Sequence, residues 1–580
     1  MHSFQYFSYI CSRNQNYLLI MKRLTFIGIF ILLVTMLHAQ IFETADEAVR
    51  NMGIGWNLGN TLDANKNDGS RQGLESETCW GQPYTKPELM KMLKQAGFGI
   101  IRVPVTWFPH MDSNGKVDAQ WMARVHEVVD YVLDAGMYCL LNVHHDTGEG
   151  NFHWLHANMD TYNSVKAKYE YLWQQIAEEF KDYDQRLLFE SYNEMLDKYD
   201  SWNFATYASP SRYVAADATD AYNAINCYAQ SFVNTVRATG GNNAKRNLVV
   251  NTYGACNGAG TWNSHLADPV KEMKMPTDPA GMGHIAFQVH TYPNISNLAS
   301  AKAGINQMFS LLTTHLVSKG GPVIIGEWGT SNANPNVRDY DADREKYLEF
   351  VDFFVKTAKA QGFGMIYWMS ISDGSARSLP VFSQPDLAEA MIKAYHGSSE
   401  GYVYPSRDNV ETECIVTYND NQWAELNLYS GTPLPLSTYK GLRLEMIEAP
   451  AAGAFHIKVY GENKKEQYMN VNGLSATVTF NNTLGTNVNR ITLQHKQSGS
   501  YVAKIRRAIL IRQDGREERS AISPFWGCTL VENIVSSINS ISISPNPSPT
   551  DNTYYDLCGR HVVYPTKGLY IHGGRKVIVR

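Results

Sequence analysis

The stretch LLFESYNE at residues 187–194 decides the fold, together with PVIIGE at residues 322–327. Each is a short run rich in apolar and aromatic residues that halts at a glutamate, as a buried strand does when it carries an ionisable group to its open end. If the two runs are strands 4 and 7 of one closed parallel barrel, Glu194 and Glu327 face each other across a single cleft although they stand far apart in the chain.

The surrounding sequence is consistent with that reading. From residue 40 to about 397 a short apolar run, a polar loop and an amphipathic stretch alternate. Strands are expected at 54–58, 99–104, 138–144, 187–193, 247–252, 285–290, 323–327 and 365–368. Helices are expected at 87–96, 119–135, 165–180, 217–238, 301–319 and 342–361. Eight strands alternating with helices predict an α/β chain of the (β/α)8 TIM barrel type. A doubly wound sheet would normally carry GxGxxG after its first strand, and GIGWNLG at 53–59 lacks that spacing. Polar residues crowd the strand ends: Asn57 and Asn60, Arg102, His144 and His145, Asn193 and Glu194, His290 and Tyr292, Glu327, and Trp368. In a barrel these ends share the rim where active sites of this fold sit.

A chain of 580 residues exceeds one core. After residue 397 helical periodicity gives way to alternating runs at 413–418, 423–429, 441–446, 455–460, 476–480, 490–494 and 505–511, which predict an all-β sandwich over 398–535. Residues 536–553 read as a Ser/Asn/Pro linker, and 554–580 as a short β-rich tail. At the other end, Met21-Lys22-Arg23, an apolar run to Leu37 and then His38-Ala39 have the parts of a secretory signal cleaved before Gln40, with residues 1–20 as an upstream extension. The expected mature protein is exported, secreted or at the cell surface, monomeric, and without a membrane-spanning segment. The formal net charge of -5 and the lack of a Lys/Arg-rich run exclude an electrostatic footprint for nucleic acid. Seven of the eight cysteines lie beyond the signal; they allow one unassigned disulfide, and without CxxC or His/Cys clustering they suggest no metal.

Two carboxyls suffice to break a glycosidic bond, one protonating the leaving oxygen and one stabilising or trapping the cationic sugar carbon, with no cofactor. Two such groups held close cannot both stay ionised, so the more buried one is expected to keep its proton. His290 and Tyr292, two apart, share a face from which to orient carboxylates, and Asn193 is placed to reach a sugar hydroxyl beside the reacting carbon. Either glutamate alone is more commonly a structural ion-pair residue, Arg102 alone a barrel salt bridge, and His144 and His145 satisfied core histidines. Trp80, Trp154, Trp202 and Asn57 are candidate sugar contacts or loop packing, as are Trp423, Tyr429 and Trp526 in the sandwich.

Taken in order, GWNLGNTLDA (55–64), IRVPVTW (101–107), LNVHHD (141–146), FESYNE (189–194), HTY (290–292), GEWG (326–329) and Trp368 resemble the motifs of glycoside hydrolase family 5, the cellulase family, over about residues 45–395. The resemblance implies a barrel and a retaining mechanism, with Glu194 as acid/base and Glu327 as nucleophile. It further implies Arg102, His144, Asn193, His290 and Tyr292 as the supporting shell and Trp368 as the floor of a subsite. With ETCWG at 77–81, the chain resembles most the secreted endo-β-1,4-glucanase branch, so a β-glucan is the expected partner. Xyloglucanase, lichenase and mannanase activity stay open, as does a non-catalytic surface glycan-binding protein. The sequence departs from the family at Met195, where many relatives carry proline, and over 151–161. The tail resembles C-terminal segments of secreted Bacteroidetes proteins.

Overall fold

The computed structural model describes residues 42–534, except 149, 203, 205–212, 331–336, 408–410 and 420, and four short strands between 554 and 579. The expected signal at 21–39 and the linker lie outside the described residues. The chain divides into two compact units between Tyr404 and Pro405.

In the first unit, β1 (Ile54–Asn57), β2 (Ile100–Val103), β3 (Tyr138–Asn142), β4 (Leu187–Glu190), β5 (Leu248–Asn251), β6 (Ile285–Thr291), β7 (Val323–Trp328) and β8 (Gly364–Tyr367) pair in chain order, all parallel, and β8 closes on β1. The expected TIM barrel is present. Alternation along each strand sorts the side chains. Trp56, Ile101, Leu141, Phe189, Val250, Phe287 and Ile325 face outward into a core shared with the helices. Ile100, Leu140, Leu188, Val249, Ala286, Ile324 and Ile366 form an inner apolar layer, and Ala45 and Val49 of the first helix, with Met52 just after it, pack against that layer from below. Further along β1 to β6 the inner positions become polar: Asn57, Arg102, Asn142, Glu190, Asn251 and Gln288 are all buried. This polar layer is the floor of the rim.

Local signals explain the element boundaries. Thr44 and Glu47 form a capping box for the helix Ala45–Asn51. Asn158 caps Met159–Glu179, so this helix begins six residues before the expected 165, where its apolar periodicity starts. The helix Pro385–His396, not anticipated, starts at a proline and stops at Gly397 in the left-handed region (φ 86°). β4 ends at Glu190 rather than 193, because the next carbonyl, that of Ser191, is taken by the Tyr169 hydroxyl (3.0 Å) and the Trp173 indole (3.1 Å).

The second unit is a sandwich of antiparallel sheets, one of five strands and one of six, with a two-stranded ribbon, around Val416, Leu426, Leu444, Phe455, Ile457, Leu493 and Ile505. Four tail strands, Tyr554–Tyr555, His561–Val562, Gly568–His572 and Arg575–Val579, pair antiparallel. Among the described residues Cys79, Cys139, Cys227, Cys414 and Cys528 are free thiols; Cys558 is outside the described residues. Among the described residues no helix is long and apolar enough to cross a membrane.

Beneath β4, the buried Arg246 donates to Asn243 Oδ1 (2.7 Å) and to the carbonyls of Phe180, Tyr183, Asp184 and Leu187 (2.7 to 3.0 Å), so every N–H of its guanidinium is used. Burial lowers its pKa to about 9. Arg246→Met would leave these carbonyls unpaired at the foot of the strand that carries Glu190. We expect a loss of roughly 3 kcal/mol, read as a lower denaturation midpoint of the barrel unit; an unchanged midpoint would contradict this role.

Candidate active site

Arg102 lies at the centre of the polar layer, with no exposed surface. Its Nε and Nη2 donate to the two oxygens of Glu190 (2.7 and 2.8 Å), Nη2 also to Asn193 Oδ1 (2.8 Å), and Nη1 to Asn57 Oδ1 (3.0 Å) and Glu327 Oε1 (2.7 Å). Five donors meet five acceptors in a fork geometry that lysine could not reproduce. Burial opposes the charge on Arg102, but Glu190 and Glu327 outweigh it and raise its pKa.

Alternation along β7 places Gly326 inward and would turn Glu327 outward. The pairing of β6 with β7 shifts register between Val289 and His290, and that of β7 with β8 between Ile325 and Trp328. Such an irregularity re-aims a side chain, and here it brings Glu327 over Arg102. Its second oxygen accepts from the Tyr292 hydroxyl (2.6 Å) and lies 3.6 Å from His290 Nδ1. His290 Nδ1 is also 2.7 Å from Glu194 Oε1, so one imidazole stands between the two carboxyls. Carboxylate oxygens of Glu194 and Glu327 lie within 4.8 Å of each other.

The more buried carboxyl is not the one that keeps its proton, contrary to the sequence expectation. Glu327 is 4% exposed and its side chain 6%, whereas the Glu194 side chain is 22% exposed. Burial pushes the Glu327 pKa up, but the charges of His290 and Arg102 and the bonds from Tyr292 and Arg102 prevail and hold it below its ordinary value. Burial beside Glu327 and Glu194 raises the Tyr292 phenol far above its usual range, so it remains a donor.

The remaining expected residues separate into two groups. His144 is buried, its Nδ1 accepts from Asn142 Nδ2 (3.0 Å), and burial with His145, Arg102 and His290 nearby keeps it neutral. Its ring is parallel to Trp368 (5°, centroids 6.0 Å apart) and edge-on to His145, which is itself edge-on to Trp80. His145 is therefore a partly exposed rim residue rather than a core histidine. Trp80 is 40% exposed. Only glycine fits at 59, since a Cβ there would meet the Trp368 ring at 2.7 Å. On the other side of the pair an open cavity of about 530 Å3 is lined by Glu194, Trp202, His290, Tyr292, Asn294 and Met308.

Asn57 and Trp154 are corrected by their surroundings. Asn57 is fully buried and donates to the carbonyls of Gly326, Ile366 and Tyr367, so it braces the barrel seam instead of touching sugar. Trp154 bonds Asp146 Oδ1 (2.7 Å), stacks on Phe108 and has Lys168 over its ring, which makes it loop packing. Glu190 was missed, although it lies inside the opening motif. Its signal is a carboxyl one strand period beyond Leu188, on the inner face of an apolar run. Other ligand-type side chains converge at Asp63, His144 and His145 and at His153, His156 and Asp200, and neither set includes a carboxyl of the Glu194–Glu327 pair.

Comparison with known proteins agrees with this geometry. Endoglucanase B of Neocallimastix patriciarum is 34% identical over 342 residues, covering 56% of this chain and 64% of the relative. Endoglucanase A of Clostridium longisporum is 34% identical over 347 residues, covering 57% and 60%. The chain thus spans less than two thirds of the length of these relatives. A GH5-4 broad specificity endoglucanase from an uncultured bacterium is 57% identical, with TM-score 0.60, over 62% of this chain and 98% of that one. A family 5 enzyme of Prevotella bryantii, solved as a mutant with a xyloglucan tetradecasaccharide, is 41% identical, with TM-score 0.54, over 61% and 99%. The family model for cellulase, glycosyl hydrolase family 5, matches residues 62–374. With that match across the barrel that holds Glu194 and Glu327, the chain belongs to glycosyl hydrolase family 5.

Proposed function

We propose that this chain is an exported endo-β-1,4-glucanase that cleaves internal linkages with retention of anomeric configuration. The observation that carries the reading is the approach of the two carboxyls to within 4.8 Å, with His290 Nδ1 2.7 Å from Glu194 and 3.6 Å from Glu327. A gap of roughly 5 to 5.5 Å suits direct attack, whereas inversion needs a wider one to admit water. Glu327, held ionised, attacks the anomeric carbon while Glu194 protonates the departing glycosidic oxygen. The glycosyl-enzyme ester then reacts with a water that Glu194 deprotonates, and Glu327 leaves as the carboxylate. Arg102 and Tyr292 position the nucleophile. Asn193, whose oxygen is fixed by Arg102, presents its amide nitrogen to the sugar, and Trp368 supplies a flat platform.

The open cavity beside Glu194 and the xyloglucan-bound neighbour favour a second reading within the same mechanism, acceptance of branched glucans. Release of reducing ends from carboxymethylcellulose, xyloglucan, barley β-glucan and mannan ranks these substrates. No turnover of any β-1,4-glucan would defeat the proposal and leave the glycan-binding alternative.

Glu327→Gln should lower kcat by roughly a thousandfold or more while the barrel stays folded. The first product of the wild type, followed by NMR, should be the β-anomer; initial release of the α-anomer would exclude retention.

The pH dependence follows from the depressed pKa of Glu327. Its ionised form persists above the ordinary carboxyl value of 4.5 and is lost only as pH falls through the lower folded-state value, so the acid limb it sets lies below pH 4.5. Tyr292→Phe removes one charge-assisted hydrogen bond, worth about 1.5 kcal/mol, and should move that limb of kcat/KM up by about one pH unit. An unmoved limb would show that Tyr292 does not sustain the charge.

A further inference from the structure

The five-stranded sheet of the sandwich carries an open cleft of about 490 Å3, lined by Trp423, His456, Lys458, Tyr468 and Gln494. Its walls are two large rings in water: Trp423 is 46% exposed and Tyr468 50%. Its floor is polar yet buried, with His456 at 8%, Gln494 at 7% and the adjoining Glu425 at 6% exposure. His456 lies between the walls, its ring 6.3 Å from Trp423 and 4.8 Å, edge-on, from Tyr468.

Each floor group is held in place. His456 Nε2 and Gln494 Oε1 are hydrogen-bonded (2.6 Å), and Gln494 Nε2 donates to Glu425 Oε1 (2.6 Å). Tyr460 donates to Glu425, and Lys458 Nζ pairs with Glu466 (3.1 Å). These groups lie on one face because His456, Lys458 and Tyr460 alternate with the core residues Phe455, Ile457 and Val459, and Gln494 pairs with both His456 and Glu425. Trp423 sits at φ 74°, a left-handed conformation that is strained for an aromatic residue. Its N–H donates to His495 O (2.7 Å) and its carbonyl accepts from Gln494, so the backbone is fixed in that conformation with the indole half in water. A bulky apolar ring kept exposed at a strained position is unfavourable for the free sandwich, and such strain concentrates where a ligand is gripped.

We infer that this cleft is a second glycan site, separate from the barrel, which takes a neutral β-linked hexopyranose chain. The axial C–H faces of such sugars are flat and apolar and match the two rings, while their equatorial hydroxyls match a fixed row of amide, imidazole and ammonium groups. Lys458 is balanced by Glu466 and Glu425, so the cleft has no surplus positive charge to select an acidic polysaccharide. Of the three sandwich aromatics expected as a sugar face, Trp423 lines the cleft. Tyr429 gives its hydroxyl to Thr432 O, and Trp526 is exposed on the strand Ser523–Trp526, outside the lining.

The test is affinity electrophoresis of the full chain through gels containing hydroxyethylcellulose or xyloglucan, in a Glu327→Gln background that spares the polymer. Trp423→Ala with Tyr468→Ala should weaken retardation by roughly tenfold or more, and Trp423→Phe should restore most of it. Placed in the wild-type chain, the same pair should leave the rate on a soluble cello-oligosaccharide within about twofold. Retardation unchanged by the Ala pair would overturn the inference, as would equal loss with Trp423→Phe. If the barrel turned over no glucan while retardation still required Trp423, the glycan site would stand and the hydrolase reading would fail.

Discussion

A single buried guanidinium holds the rim together. Arg102 has no water to solvate it, so its charge is tolerable only where acceptors surround it, and the sequence supplies one for each N–H. Four come from the first, fourth and seventh strands and one strand-to-helix loop. The barrel must therefore close in register before the charge is satisfied. Glu190 takes two of the bonds and fixes the plane of the fork, with Asn142 and Asn251 donating to its Oε1 in turn. Glu327 takes the bond that remains. A carboxylate so held is both charged and immobile, and preorganisation of this kind is where most of an enzyme's stabilisation of developing charge arises.

The same arrangement separates the roles of the two carboxyls. Desolvation taken alone would make Glu327 the protonated member; the charges of His290 and Arg102 and the hydrogen bonds from Tyr292 and Arg102 reverse that outcome. Glu194 sits nearer to water, tied to His290, at the edge of an open cavity. Its position suits a group that exchanges protons with a leaving oxygen and then with a water. The more buried carboxyl is the one held below its ordinary pKa, an outcome set by the charges and hydrogen bonds around it rather than by depth.

Much of this was legible in the sequence, for reasons of period and punctuation. Eight apolar runs with polar ends specify a parallel barrel and its rim, and the ordered motifs around Arg102, Asn193, Glu194, His290, Tyr292 and Glu327 specify which polar ends matter. What was not legible depends on register and on neighbours far along the chain. Strand alternation alone points Glu327 away from the cleft, and only the irregular pairing of β7 with β6 and β8 turns it back. Glu190 is hidden in an apolar run, and nothing local marks it as the partner of Arg102. Asn57 and Trp154 look like rim residues until the carbonyls and rings around them are known. In the sandwich, alternation marks Tyr468 as a surface residue. Its place beside Trp423 depends on two strand pairings that no local pattern reveals.

The central claim is that Glu327 remains ionised although its side chain is almost wholly buried. Infrared difference spectra between the wild type and Glu327→Gln, recorded from about pH 7 down to about pH 3, isolate its carboxyl stretch. The account predicts a carboxylate band that persists as pH falls through 4.5. A protonated-acid carbonyl band already present above pH 4.5 would contradict it.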